Sequence, residues 1–153
     1  MEFNIEEGGL PEDYATFSEL HTWAMYQSYE LEPDSNAYGI QDGVCRTIPE
    51  TGLTFALWKK PDFLKPLSLY LDLTKYSISK RARFKSRSLT VYVNGIKKET
   101  IIVTKQKSFE NPVQIPLEAN EYPDGYIRIE LRPSSNETGR FWGIWDAFVS
   151  VRS

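Results

Sequence analysis

Histidine and cysteine are nearly absent from this 153-residue chain, which has one of each, His21 and Cys45. A single cysteine cannot form an internal disulfide, and there is no cysteine pair or histidine pair for a zinc site. The sequence also has no Gly-x-Ser-x-Gly motif of the kind that positions a nucleophilic serine. A dyad of His21 and Cys45 is the remaining route to nucleophilic catalysis. We therefore expect a protein that is not an enzyme.

Long apolar runs are absent too. No stretch approaches the roughly 20 residues of a membrane-spanning helix. The first residues, Met-Glu-Phe-Asn-Ile-Glu-Glu, lack the basic and apolar regions of a signal peptide. We expect neither a span nor a signal peptide in the sequence as it stands, and an extracytoplasmic location if the domain is cut from a longer exported protein. The length fits one domain over 1–153, with the weakest pattern in its N-terminal segment, 1–31.

Basic residues are missing from the first 45 positions, which contain ten acidic side chains, whereas residues 75–107 contain ten basic side chains and only Glu99. The two segments can neutralise each other or stay solvated, or the second can bind an anionic partner. The sequence pI of about 5.3 argues against nucleic acid. The predicted anionic-partner loop, 75–87, contains Lys80, Arg81, Arg83, Lys85 and Arg87.

Alternating apolar and polar residues are the clearest positive signal. The stretch 88–96 alternates and then reaches Asn94-Gly95, the pair that best tolerates the positive φ values of a tight hairpin turn. This predicts that Leu89, Val91 and Val93 face a core. The arginines of 81–87 share their parity, and burying unpaired cations is too costly, so 74–87 must be a loop or contain a bulge.

Similar alternation predicts further short strands and hence an all-β, antiparallel sandwich. The N-terminal segment differs, because Pro11 followed by two acidic residues favours the start of a short helix or turn. The predicted strands lie near 23–31, 53–58, 67–73, 96–104, 113–117, 127–132 and 141–151.

The order of these strands resembles the galactose-binding-like jelly roll, a superfamily that includes many carbohydrate-binding modules. It is especially similar to the accessory sandwich of some bacterial membrane glycosyltransferases and phosphoglycerol transferases. The resemblance covers about 50–153 and rests on Val91 to Gly95, on Pro133-Ser134-Ser135 and on Gly143. It implies a jelly-roll accessory domain of bacterial type. The N-terminal third has no counterpart, and Trp142 and Trp145 replace expected aliphatic residues.

A glycan-binding face needs flat aromatic rings beside polar side chains that bond hydroxyl groups. The outward residues of the predicted strands form such a band if their strands share one sheet. Other segments can equally cover these residues, or they can be ordinary solvated residues of a strand. Loops offer further candidates, Tyr38, Trp58, Phe63 and Trp142 with Arg140, while Trp145 is expected in the core. The predicted ligand-binding residues are Tyr70, Asp72, Tyr92, Asn94, Tyr126, Arg128, Glu130, Arg140 and Trp142.

The resemblance also implies a structural calcium ion, for which Asp146, Glu6 and Glu7 are the candidate ligands; a surface role for Asp146 is the alternative. The sequence thus predicts a non-catalytic accessory module that binds a glycan or glycolipid. The alternative function is a protein-interaction or assembly domain that uses the acidic N-terminal third and the basic loop 75–87.

Overall fold

A computed structural model describes residues 38–40, 46–48, 51–58, 66–75, 87–104, 112–134 and 142–151. These residues contain nine strands and one short 3-10 helix, Ala119–Glu121, so the predicted all-β class is confirmed. The helix or turn predicted within 1–31 lies outside the described residues. The strands are β1 Tyr38–Ile40, β2 Arg46–Thr47, β3 Leu53–Trp58, β4 Leu67–Lys75, β5 Arg87–Val93, β6 Ile96–Val103, β7 Val113–Leu117, β8 Tyr126–Pro133 and β9 Trp142–Val151.

The strands form two sheets with antiparallel pairing throughout. Sheet A has the order β1-β9-β4-β7, with β2 also paired to β9, and sheet B has the order β3-β8-β5-β6. From β3 onward the chain changes sheet at every connection except the β5–β6 hairpin. This is the antiparallel sandwich that the alternation predicts, while the jelly-roll designation stays a prediction.

One hydrophobic cluster joins the two sheets. The four alternating leucines of β4, from Leu67 to Leu73, are fully buried, and so are Leu89, Val91 and Val93 of β5. Inward residues of β8, Ile129 among them, complete the same cluster. Each such side chain stabilises the fold by about 1.5–3 kcal/mol through burial alone. The period-2 pattern therefore predicted the inward residues of β4, β5 and β8 correctly.

The Asn94-Gly95 turn forms as predicted. Asn94 has a φ of 50° and Gly95 a φ of 81°, and β5 and β6 pair directly on either side. A Cβ built on Gly95 would meet no atom within 4 Å, so the backbone conformation and not space requires glycine there.

A bulge in β9 changes its parity. Asp72 of β4 pairs with Asp146, but the next residue, Leu73, pairs with Ile144, which leaves Trp145 as the extra residue. Trp145 is buried, as predicted. Trp142 was expected at a loop, but it begins β9 and packs in the core with only 3% exposure. Before the bulge even-numbered residues face the core, and after it odd-numbered ones do.

The basic segment is shorter than predicted at both ends. Strand β4 continues through Lys75, which pairs with Trp142, and β5 already begins at Arg87, which pairs with Val103. Backbone pairing thus persists over positions that we expected in a loop. The remaining cations of the predicted anionic-partner loop, Lys80, Arg81, Arg83 and Lys85, lie outside the described residues.

Candidate functional site

The outer face of sheet A is largely buried. Ser68, Asp72 and Phe148 are all buried on this side, and the half-buried Tyr70 ring stacks on Phe148 with its centroid 5.1 Å away and an interplanar angle of 8°. The outward tyrosines do not share one sheet, so the condition for a single band is not met. Tyr70 and Asp72 belong to sheet A, and the other candidate tyrosines belong to sheet B.

Two aspartates face each other on this buried side. Asp72 and Asp146 are direct partners in the β4–β9 register, with exposures of 0% and 5%. The alternative in which Asp146 is a surface residue is thus wrong. Calcium prefers six to eight oxygen ligands, and no group of three or more His, Cys, Asp or Glu side chains is found among the described residues. Glu6 and Glu7 lie outside them, so the calcium site stays a prediction.

Sheet B exposes its outer face along β8. Tyr126, Arg128 and Arg132 are exposed, and Glu130 between them is partly exposed. Because alternate strand residues share a face about 7 Å apart, these four form a row of about 20 Å. Tyr126 has 44% exposure and is the exposed aromatic ring among the described residues. We call this row, together with Tyr92 of β5, the β8 face.

Tyr92 and Arg132 form the centre of the β8 face. Tyr92 pairs in register with Glu130, and the guanidinium carbon of Arg132 lies 5.1 Å from the centroid of the Tyr92 ring. The Nε–H of Arg132 donates to Oε1 of Glu130. Arg132 was not predicted as a site residue, although its parity is that of Tyr126, Arg128 and Glu130. One face of the Tyr92 ring is therefore already covered by a cation.

The Asn94 side chain is used by the fold. Its amide nitrogen donates to the carbonyl oxygens of Glu121 at 2.9 Å and Tyr126 at 3.0 Å, and its Oδ1 accepts from the N–H of Arg128 at 2.9 Å. Both amide hydrogens are thus engaged, so Asn94 holds the hairpin against the beginning of β8. The sequence predicts Asn94 beside Tyr92 on a binding surface. The contacts that its side chain makes in the structure are explained by the fold.

An ion pair between Lys98 and Glu121 lies at the same end of sheet B as the Asn94 hydrogen bonds. Lys98 Nζ lies 2.8 and 2.7 Å from the two carboxylate oxygens of Glu121, and the N–H of Glu118 donates to Oε1 at 2.9 Å. Partial burial raises the pKa of Glu121. The hydrogen bonding to Lys98 and to the N–H of Glu118, together with the charge of Lys98, outweighs this effect and holds the pKa below its ordinary value.

The Glu121 ion pair predicts a pH dependence of stability. Because the folded-state pKa is the lower one, the stabilisation is complete above the unfolded-state pKa and is lost as the pH falls through the folded-state pKa. We expect Glu121→Gln to lower the free energy of unfolding at pH 7 and to have a progressively smaller effect as acid protonates the carboxylate. Urea unfolding at several pH values checks this, with the exposed Glu99→Gln as control. A constant difference between wild type and Glu121→Gln down to pH 3 would contradict it.

The remaining candidates divide by position. Tyr38 begins β1 and Trp58 ends β3, where it pairs with Tyr126, so both lie in strands and not in loops. Phe63 and Arg140 lie outside the described residues, as do His21 and Cys45. Among the helices of the described part of the chain, none is long and apolar enough to cross a membrane.

Comparison with known proteins does not identify a family for this chain. No family model and no curated protein matches the chain. One solved structure is similar, "The structure of CBM51-2 and INT domains from Clostridium perfringens ZmpB", with a TM-score of 0.36 and 11% sequence identity. The match covers 65% of this chain and 22% of that one. A likeness this distant carries no argument about function, so the β8 face has to be interpreted from its own chemistry.

Proposed function

We propose that this chain is a non-catalytic binding module that takes a glycan on the β8 face of sheet B. The observation that carries the proposal is the exposed Tyr126 ring on a sheet face whose neighbouring residues are charged. Tyrosine is enriched at binding surfaces, because its ring offers an apolar face and its hydroxyl group a polar end. The outer face of sheet A offers no comparable surface among the described residues, because its strand residues are largely buried.

The chemistry of the β8 face suits a sugar. The apolar side of a pyranose can stack on the Tyr126 ring, while the hydroxyl groups at its edge need donors and acceptors. Arg128 lies two residues along the strand, about 7 Å away, and Glu130 follows at the same interval. Oε1 of Glu130 accepts from Arg132, and its second oxygen has no partner among the described residues. An arginine donor and a carboxylate acceptor therefore follow the ring in sequence.

The contacts of the β8 face do not bear on the alternative function, a protein-interaction or assembly domain. An assembly role would rest on the acidic N-terminal third and on the basic segment, and both lie mainly outside the described residues. The assembly role therefore stays a prediction, and the described residues support only the glycan proposal.

Tyr126→Ala is expected to weaken glycan binding by about tenfold, which corresponds to about 1.4 kcal/mol, because the stacking surface is removed. A glycan array, run with and without calcium, would identify a ligand, and calorimetry would then compare the variants. Tyr126→Phe keeps the ring and should bind nearly as wild type does.

Ile96→Ala is the matched control, since Ile96 is also an exposed apolar residue of sheet B but lies at the hairpin on β6. It should leave the affinity unchanged. An array without any bound glycan, or a Tyr126→Ala variant with wild-type affinity, would refute the proposed function.

A further inference from the structure

We infer that the β8 face selects an anionic glycan and that Arg132 binds its carboxylate or sulfate group. The inference rests on the proposed function and adds to it a ligand class and a residue that recognises it. Its basis is that two contacts hold the Arg132 side chain, while most of its hydrogen-bond donors have no acceptor among the described residues.

Two contacts fix the Arg132 guanidinium. Its Nε–H donates to Glu130, and its central carbon lies over the Tyr92 ring at 5.1 Å from the centroid. Tyr92 and Glu130 are themselves direct partners in the β5–β8 register, so both supports stand on paired strands and not on a loop. The charged group is thereby restrained both by a bond at one edge and by a ring at one face.

The other edge of the guanidinium is available. An arginine side chain has five N–H donors, and four of them are on the two Nη atoms. Within the described part of the chain these four donors have no hydrogen-bond acceptor, and the side chain is 58% exposed. The paired Nη groups match the two oxygens of a carboxylate or sulfate, which they can bind through parallel hydrogen bonds. Because the group is already oriented, binding loses less side-chain entropy than it would for a free arginine.

The charges of the surrounding face favour an anion. Arg132 and the exposed Lys97, which pairs with Tyr92 on the other side, provide two positive charges. Glu130 provides one negative charge, so these three outward residues sum to +1, in a chain whose net charge is −3. Lys98 is not counted, because it pairs with Glu121, and neither is Arg128, which has a further contact of its own. This local excess attracts an acidic sugar in preference to a neutral one.

The spacing indicates an oligosaccharide. Tyr126 and Arg132 are six residues apart on β8, which corresponds to about 20 Å in an extended strand. One sugar ring cannot stack on Tyr126 and place its acidic group at Arg132. A ligand that uses both residues therefore extends along β8 over several sugar units.

Matched tetrasaccharides test this inference. Tetragalacturonate and its methyl ester differ in the carboxylate charge, and a kappa-carrageenan tetrasaccharide and its desulfated form differ in the sulfate. We expect at least one acidic form to bind ten times more tightly than its neutral counterpart, with a preference that falls as salt rises from 50 to 200 mM. Calorimetry measures all four ligands, and the two pairs distinguish carboxylate from sulfate recognition.

The variants assign the preference to a residue. Arg132→Gln should remove most of the acidic preference, and Arg132→Lys should keep only part of it, because lysine has the charge without the planar pair of donors. Tyr92→Leu should weaken the acidic ligand selectively by freeing the guanidinium. Lys97→Gln, which removes a charge from the same face, is the control and should change the preference much less than Arg132→Gln. Tyr126→Ala should weaken both members of a pair equally.

The outcomes separate this inference from the proposed function. Equal binding of acidic and neutral forms that still depends on Tyr126 would overturn the inference and leave the glycan-binding face intact. An acidic preference that survives Arg132→Gln would also overturn it. If no tetrasaccharide binds, the glycan array decides the proposed function separately. The Arg132 Nε–H resonance can then be titrated with sodium sulfate and sodium glucuronate, and only a saturable shift would support an anion site there.

Discussion

Leu131→Ala is expected to lower the free energy of unfolding by about 3 kcal/mol, whereas Arg132→Gln at the next position should change it by no more than about 0.5 kcal/mol. Leu131 is fully buried in the cluster between the sheets, and Arg132 points to the opposite side of β8. Truncating a buried leucine removes its transfer free energy and leaves a cavity that the neighbours fill only in part. The exposed ion pair of Arg132 contributes little, because water and salt screen it.

Urea unfolding, followed by tryptophan fluorescence, measures both variants. The two should differ in midpoint and not in m-value, since each unfolds the same surface. Similar destabilisation by the two substitutions would contradict the inward and outward assignment of β8. A stable Arg132→Gln variant is also what the binding experiments need, because a loss of affinity can then be attributed to the missing guanidinium.

The alternation in the sequence predicted the inner faces of the sheets because burial on one side of a strand imposes a strict period of two. It holds in β4 as far as Leu73, in β5 and in β8, where every second residue is buried, apart from the half-buried strand ends Arg87 and Pro133. It failed in β9, because a single extra residue at Trp145 reverses the parity of what precedes it. Apolar residues occur at both parities of β9, with Ile144 and Phe148 at even positions and Trp145 and Val149 at odd ones, so the sequence does not mark the extra residue.

The limits of parity also explain why the candidate site was predicted only in part. Parity identified Tyr126, Arg128 and Glu130 on one strand, and these do share one face. Parity says nothing of which strands share a sheet, so it could not separate Tyr70 from Tyr92. Asp72 is outward by parity and buried nonetheless, because exposure depends on what covers the outer face of sheet A. The order of strands in a sheet and the burial of its outer face depend on residues far apart in the sequence. A pattern within a single strand therefore cannot predict them.

Asn94 shows a different limit of sequence interpretation. An asparagine beside an outward tyrosine is consistent with hydrogen bonds to a sugar, and an asparagine before glycine is consistent with a tight turn. The structure uses it for the turn and also for three side-chain hydrogen bonds to the beginning of β8 and the 3-10 helix. The residue type alone cannot distinguish these uses, because the same amide donors and acceptor serve each of them.

Asn94→Ala is accordingly expected to lower the free energy of unfolding by about 2.5–5.5 kcal/mol. Two physical effects add in this variant. Each lost hydrogen bond contributes about 0.5–1.5 kcal/mol net. Alanine also has to adopt the positive φ of the turn, which costs about 1 kcal/mol relative to glycine. Asn94→Gly removes the same hydrogen bonds and keeps the permissive backbone.

The two variants therefore separate the amide from the backbone. If the side-chain bonds dominate, Asn94→Gly loses most of what Asn94→Ala loses, and the difference between them is about 1 kcal/mol. Urea unfolding provides both values, and amide exchange of the Arg128 N–H, which donates to Asn94 Oδ1, reports the local loosening. A near-native Asn94→Gly variant would show that the three bonds contribute little. Asn94 would then be needed only for its φ, and its amide would again be available as a group that can bind ligand.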